Sequence, residues 1–305
     1  MERAGDIIWI NGPVMRARMA TGLQMLEQVE VGEQHLVGEV IALQGDIATL
    51  QVYEETIGLR PGAPVYGLGM PLGVELGPGL MGGIYDGIQR PLEAIEARSG
   101  IYISGGIAAP ALDRERRWPL EPALTVGQTL HGGETLGAIV ETPLVTLRLP
   151  VPPDVDGEVT WAAPAGDYRV TDTVARVRTA SGERELNLMQ RWPVRQPRPS
   201  AGRLPPVTPL ITGQRVIDTL FPIARGGTAA VPGGFGAGKT VLQQALARWC
   251  DADIIIYVGC GERGNEMADV LREFPHLSDP KTGRPLIDRT ILIANTSNMP
   301  VAARE

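Results

Sequence analysis

The hydrophobic positions along the chain follow two rhythms that change near Pro209. Before it, apolar runs are short and tend to alternate with polar residues, as half-buried strands do. Residues 7–10, 37–41 and 47–52 are such runs, separated by Asn11-Gly12-Pro13, Gly45-Asp46 and Arg60-Pro61-Gly62. These separators carry turn chemistry. A closed β-barrel over residues 1–70 is the simplest expectation, because closure removes exposed strand edges. Such a barrel carries no chemistry of its own and is read as a structural or assembly module. Residues 71–104 then form a Gly-rich connection, Gly77 to Leu92, that enters a short helix over 92–98. Residues 105–190 return to short strands between turns at 126–127, 131–133, 152–154 and 165–167, and read as a separate β-rich lobe. Residues 191–209 hold Pro193, Pro197, Pro199, Pro205 and Pro206 with Arg191, Arg195, Arg198 and Arg203. This predicts a stiff, extended, solvated linker.

Beyond the linker the period lengthens. Residues 213–220 are expected to be helical, 227–231 a short buried strand, and 239–249 a helix with Val241, Leu242, Ala245 and Leu246 on one side. Residues 254–258 form a continuous apolar run, as expected of a buried parallel strand. A helix over 265–273 and another buried strand over 290–294 follow. Strand, helix, strand, helix, strand is the rhythm of a parallel sheet with crossover helices.

Composition narrows the function. Hydrophobic residues make up 43% and charged residues 21%, so a packed core is possible, and the net charge of −7 argues against a general nucleic-acid binder. Gly (38) and Pro (26) are spread along the chain, which indicates many turns and not disorder. No apolar run approaches the ~20 residues of a membrane span. The first residues lack a basic region followed by an apolar one, so no secretion signal is expected. Cys250 and Cys260 have neither zinc-site nor disulfide-framework spacing and read as free thiols in the cytoplasm. His35, His131 and His276 are isolated, with surface or turn roles. The five tryptophans share no spacing that suggests a stacking platform.

The strongest chemical signal is Gly233-Gly234-Phe235-Gly236-Ala237-Gly238-Lys239-Thr240, which satisfies the phosphate-loop pattern between an expected strand and an expected helix. Its glycines let successive backbone N–H groups face a phosphate, and the helix N-terminus adds positive potential. Lys239 is placed to neutralise phosphate charge, Thr240 to ligate Mg²⁺, and Val241 completes the nucleotide-binding set. The second signal is Gly259-Cys260-Gly261-Glu262-Arg263-Gly264-Asn265-Glu266 at the C-terminal end of the next strand, where parallel sheets hold reacting groups. Glu262 is the candidate carboxylate that orients an attacking water. Arg263 is read as holding that carboxylate or meeting a neighbouring protomer. Glu266 is read as a local helix partner.

These residues resemble the catalytic A (alpha) subunit of V-type and archaeal-type rotary ATPases and ATP synthases. The likeness extends through 77–92, 212–218, 221–232, 258–267 and 293–305. It implies a multidomain fold: an N-terminal β-barrel, a β-rich bulge insertion that F-type catalytic subunits lack, and a RecA-like nucleotide-binding domain, here residues 210–305 and incomplete. It implies ATP or ADP and Mg²⁺ as ligands, with Glu262, Lys239 and Arg263 catalytic. It further implies a ring of three such subunits with three B (beta) subunits, central and peripheral stalks, and a membrane sector met only indirectly. The B protomer would supply an arginine in trans, and the ring would work at the inner face of a membrane, coupling ATP chemistry to H⁺ or Na⁺ movement. On this expectation the chain alone is a poorly active or inactive fragment. The alternatives are a nucleotide-holding assembly module, or another hexameric motor of the F-type, secretion-ATPase or Rho-type helicase kind.

Two loop positions depart from the family's usual Gly-Pro-Phe-Gly-Ser-Gly-Lys-Thr, or its eukaryotic form with Ala and Cys: Gly234 stands for Pro or Ala, and Ala237 for Ser or Cys. With no thiol in the loop, oxidants are not expected to inhibit through a phosphate-loop disulfide. Reductant-reversible loss of binding, mapped to a disulfide within the chain, would contradict this.

Overall fold

The computed structural model describes residues 3–100, 105–234 and 236–304. The expected fold class holds: a closed barrel, a β-rich insertion and a P-loop α/β region follow one another.

The barrel consists of β1 (Arg3–Asn11), β2 (Val14–Met19), β3 (Glu27–Val31), β4 (Leu36–Gln44), β5 (Ile47–Val52) and β6 (Pro64–Pro71). Its order is β1-β2-β5-β4-β3-β6, with β6 returning to β1, and every pairing is antiparallel. Burial alternates along β3 and β5, which sends Val29, Val31, Ala48, Leu50 and Val52 inward. That is the period of two required when one face of each strand fills the lumen.

Next come β7 (Gly73–Leu76), β8 (Ile84–Tyr85) and helix α1 (Leu92–Ser99). The lobe contains β9 (Arg117–Pro122), β10 (Thr129–Leu130), β11 (Thr135–Val140), β12 (Thr146–Pro150), β13 (Gly157–Ala162), β14 (Gly166–Arg169), β15 (Ala175–Thr179) and β16 (Gly182–Leu186). They form two four-stranded sheets, β10-β13-β15-β16 and β12-β11-β9-β14. Trp118, Leu120, Leu130, Ile139, Val159 and Val177 fill the core between them.

The chain leaves this lobe through β17 (Gln190–Pro193), which pairs antiparallel with β7. Entry and exit are therefore zipped together. This limits the expected solvated linker to its later part: residues 190–193 pair with β7 and Arg195 reaches the barrel, while residues 199–209 are exposed. Arg195 donates to both oxygens of Glu39, a barrel residue only 1% exposed, and Tyr53 donates to the same carboxylate at 2.8 Å. Burial, then Glu39, pushes the Tyr53 hydroxyl up to about 12, and the pairing raises Arg195 further. Arg191 reaches Gln28, and Arg198 lies 4.5 Å over the Trp192 ring. A buried carboxylate must find a cation, so the linker's first part is pinned to the barrel.

The last region holds β18 (Pro209–Leu210), α2 (Arg215–Leu220), β19 (Ile223–Ala224), α3 (Lys239–Trp249), β20 (Ile255–Glu262), α4 (Gly264–Glu273) and β21 (Thr290–Thr296). Its sheet has the order β20-β21-β8, parallel throughout. Two expectations fail here. Residues 227–231 form no strand and are mostly exposed, with Val231 half-buried. This segment pairs with no strand among the described residues, and the outer edge of β20 stays unpaired. The 254–258 run is a strand, but Ile256 and Val258 are 60% and 54% exposed, because only its other face is packed. The third strand, β8, comes from the Gly-rich connection. Among the described residues no helix is long and apolar enough to cross a membrane.

A buried ion pair closes this region. Arg289 lies 2.8 Å from Asp279, and both side chains are about as buried as the core. Burial opposes the charge on Asp279, but the Lys281 and Thr282 amides and Arg289 outweigh it, so its pKa is lowered. A lowered carboxylate contributes stability above its unfolded pKa and loses it as pH falls through the folded one. Asp279→Ala is expected to cost about 3–5 kcal/mol, because it leaves a buried guanidinium unpaired. Urea unfolding at neutral pH measures this, and a change within about 0.5 kcal/mol would contradict it.

Candidate functional site

Three elements meet at the C-terminal end of β20. The first is the phosphate loop. Gly236 and Gly238 both sit at φ 77°, a left-handed conformation that glycine adopts without a Cβ penalty. Gly238 caps α3, so Lys239 and Thr240 open its first turn and Val241 follows, largely exposed. Lys239 Nζ donates to the Gly233 carbonyl at 2.7 Å, folding the loop around its own lysine. A Cβ on Gly233 would stand 2.9 Å from the Ala237 methyl, so that crossing is tight. Gly234 has open space around it. Phe235, assigned to the same loop, lies outside the described residues.

The second element is the strand end. Glu262 is the last residue of β20, and Arg263 is the N-cap of α4, where its carbonyl accepts the Met267 amide at 3.0 Å. Glu266 lies in the first turn of α4, where the helix dipole favours a carboxylate. The close packing of α4 on β20 needs Gly259, since a Cβ there would stand 2.4 Å from Met267 Sδ. Burial, then the hydrogen bond and charge of Glu266, raise the Glu262 pKa above the ordinary carboxylate range, while Lys239 pulls it down. Lys239, Glu262 and Glu266 therefore share one electrostatic site. Glu266 also acts beyond its own helix, since its hydrogen bond and charge add to the effect of burial on Glu262.

The third element is Arg304, which lies in the 293–305 stretch of likeness but receives no role from the sequence. Arg304 donates to the carbonyls of Thr296, Ser297 and Met299 at 3.2, 2.6 and 2.7 Å, and the Ser297 amide donates to the Glu262 carbonyl at 2.7 Å. A Cβ on Gly261 would lie 3.6 Å from Arg304 Cδ. An arginine after a Pro-Val-Ala-Ala turn carries no pattern of its own in sequence, and only its return beside β20 reveals it.

The donor set suits a hard cation that arrives with a nucleotide. Thr240 offers a hydroxyl, and Glu262 and Glu266 offer carboxylates, which are oxygen ligands of the kind Mg²⁺ takes alongside phosphate and water. Among the described residues no three His, Cys, Asp or Glu side chains gather as a metal site by themselves.

Comparison with known proteins fits this geometry. Residues 7–69 match a family model for the ATP synthase alpha/beta family β-barrel domain, and residues 109–195 match one for the ATP synthase alpha/beta subunit barrel-sandwich domain. Residues 213–305 match the ATP synthase alpha/beta family nucleotide-binding domain. The chain belongs to the ATP synthase alpha/beta family.

Within that family it is 54% identical over 302 residues to the A subunit of the A-type ATP synthase of Thermococcus sibiricus, covering 99% of this chain and 52% of that protein. It is 57% identical over 308 residues to the corresponding protein of Hyperthermus butylicus, covering 100% and 51%. It is 53% identical over 306 residues to the V-type ATP synthase alpha chain of Halothermothrix orenii, covering 100% and 52%. The chain thus spans about half the length of the curated relatives it matches. Among solved structures, the assembled ATPase EscN of the enteropathogenic E. coli type III secretion system shares the fold, with a TM-score of 0.57 at 20% identity over 98% of this chain and 50% of that one.

In this member of the ATP synthase alpha/beta family, the Glu262 carboxyl is expected to hold its proton to a higher pH than an exposed glutamate. A raised carboxyl favours the protonated folded state, so its contribution to stability falls as pH rises through the folded pKa. Glu266→Gln removes the negative neighbour and leaves Lys239, so the Glu262 midpoint should move down. Carbon-13 NMR of the labelled carboxyl reads this directly, and an unmoved or raised midpoint would contradict it.

Proposed function

We propose that this chain supplies the phosphate-binding and water-activating half of the catalytic site of a V/A-type rotary ATPase or ATP synthase. The observation that carries the reading is the meeting of Lys239, at the first turn of α3, with Glu262, at the end of β20, close enough for the lysine's charge to act on the carboxylate. A phosphate cradle facing a carboxylate is what hydrolysis of a phosphoanhydride needs.

Loop amides and Lys239 bind the phosphates, with Lys239 exchanging the Gly233 carbonyl for phosphate oxygen. Thr240 would help to hold Mg²⁺, which would supply charge neutralisation on the phosphates. Glu262 in its ionised form accepts a hydrogen bond from the attacking water and draws off its proton. The water oxygen bonds to the terminal phosphorus while the bond to the leaving ADP oxygen breaks. Arg263 helps to hold the Glu262 end of the site. Synthesis runs the same steps in reverse. In this proposal three such chains alternate with three B (beta) subunits around a rotor at the inner face of a membrane. An arginine from the neighbouring B protomer completes the site, and ion movement is coupled to the ATP chemistry. Identity to the A-type and V-type relatives along the whole of this chain supports the placement.

Two substitutions separate binding from chemistry. Lys239→Ala is expected to weaken Mg-ATP binding about 10- to 150-fold, the range of a lost charge-assisted hydrogen bond. In the assembled enzyme Glu262→Gln is expected to bind ATP normally and to lose about 10²–10⁴ in kcat, the range of a general base. Unchanged binding in the first, or unchanged kcat in the second, would overturn the assignment.

A further inference from the structure

We propose that the turn at residues 86–90 is a rigid seat that positions the Glu262 end of β20 through Arg304, making Gly87 and Arg90 positioning residues for the site. Its consequence for chemistry rests on the function proposed above, while its structural part stands alone.

The turn follows β8 directly and is fixed from several sides. Asp86, 2% exposed, accepts from the Ile88 and Arg90 amides at 3.1 and 2.8 Å and from Arg90 Nε at 2.7 Å. Arg90 reaches the other way, with Nη1 at 2.5 Å from Glu54, a buried barrel carboxylate that also accepts the Val37 and Gly106 amides. Gln89 stands at φ 63°, an unfavourable conformation for a residue with a Cβ. It is held there by a two-way amide bridge to the Glu75 backbone, at 2.7 and 2.8 Å. Backbone held in a costly conformation by so many bonds marks a place where geometry matters.

What this turn presses against is the site. A Cβ on Gly87 would stand 2.3 Å from both the Ala303 carbonyl oxygen and Asn295 Nδ2. Asn295 is itself buried and donates to Ala303 at 3.0 Å. Ala303 precedes Arg304, whose guanidinium gathers the 296–299 carbonyls that carry the Ser297 amide to Glu262. The contacts run without a gap from a barrel carboxylate to the strand end. The links are hydrogen bonds, most of them partly buried, and one close approach at Gly87 that leaves no room for a Cβ. Gly87 does not lie in the left-handed region, so an alanine there fits its backbone and acts only as a wedge.

Cys260 gives a local readout, because its Sγ donates to the Arg304 carbonyl at 3.5 Å and is exposed. Displacing Arg304 removes that bond and frees Sγ to turn toward the reagent. Alkylation by iodoacetamide, followed at the Cys260 peptide by mass spectrometry, is expected to speed up about two- to tenfold in Gly87→Ala. Arg90→Lys, which keeps the charge but loses the fork joining Asp86 to Glu54, should shift it the same way by less. Gly22→Ala, at an open position, is the control and should not change it. In the assembled enzyme Gly87→Ala should lower kcat with KM little changed, and should add nothing to Arg304→Ala. Cys260 rates that stay at the parent value, or slow, in both Gly87→Ala and Arg90→Lys overturn the seat. A faster Cys260 with unchanged kcat, where Glu262→Gln still abolishes turnover, overturns Gly87 as a positioning residue for the site and leaves the catalytic role of Glu262 standing.

Discussion

The buried charges of Glu54, Arg90 and Asp86 tie the barrel to the connection that leads into the nucleotide-binding region. Glu54 belongs to the barrel end, Arg90 and Asp86 to the connection that has just delivered β8 to the nucleotide sheet. Both carboxylates are 2% exposed at the side chain, and Arg90 only 12%. Buried ions of this kind are costly unless geometry and additional hydrogen bonds compensate them. Here backbone amides from residues 37, 88, 90 and 106 complete the set. The network ties the barrel end to the connection that carries β8.

The same connection is gripped from the insertion. Glu141, buried, accepts the Gly79 and Met81 amides at 2.7 and 3.0 Å, and the buried Tyr85 is pushed up to about 12 by burial and then by the charge of Glu141. Residues 77–90 thus touch the lobe, the barrel and β21 in turn. By contrast α3 has no buried residue and Val241 is 70% exposed. Elements with few buried apolar contacts open at low cost, and binding loops are commonly drawn from them. The site joins a loosely packed phosphate loop to a strand end held firmly by its neighbours.

Much of this was legible in the sequence for physical reasons. Alternating burial in β3 and β5 made the barrel readable, and helical spacing placed α3 at the residues observed. Glycines at φ 77° on both sides of Ala237 are what the phosphate-loop pattern demands. Other features were not readable, because they depend on partners distant in the chain. β8 is a two-residue strand among glycines, too short to show a period. The tie between Arg195 and Glu39 spans 156 positions, so a Pro- and Arg-rich stretch looked solvated. Residues 227–231 read as a strand but pair with no other strand among the described residues. Glu266 looked like a helix partner because its effect on Glu262 is a matter of distance and charge, not of pattern.

Amide hydrogen exchange with and without Mg-ATP tests the central claim most directly, because it maps the phosphate site without presupposing which side chain acts. The account predicts slowed exchange confined to the loop and first turn of α3, residues 236–242, and to the strand end at 259–263. Unchanged exchange in both segments, or protection centred in the barrel or the inserted lobe, would contradict it.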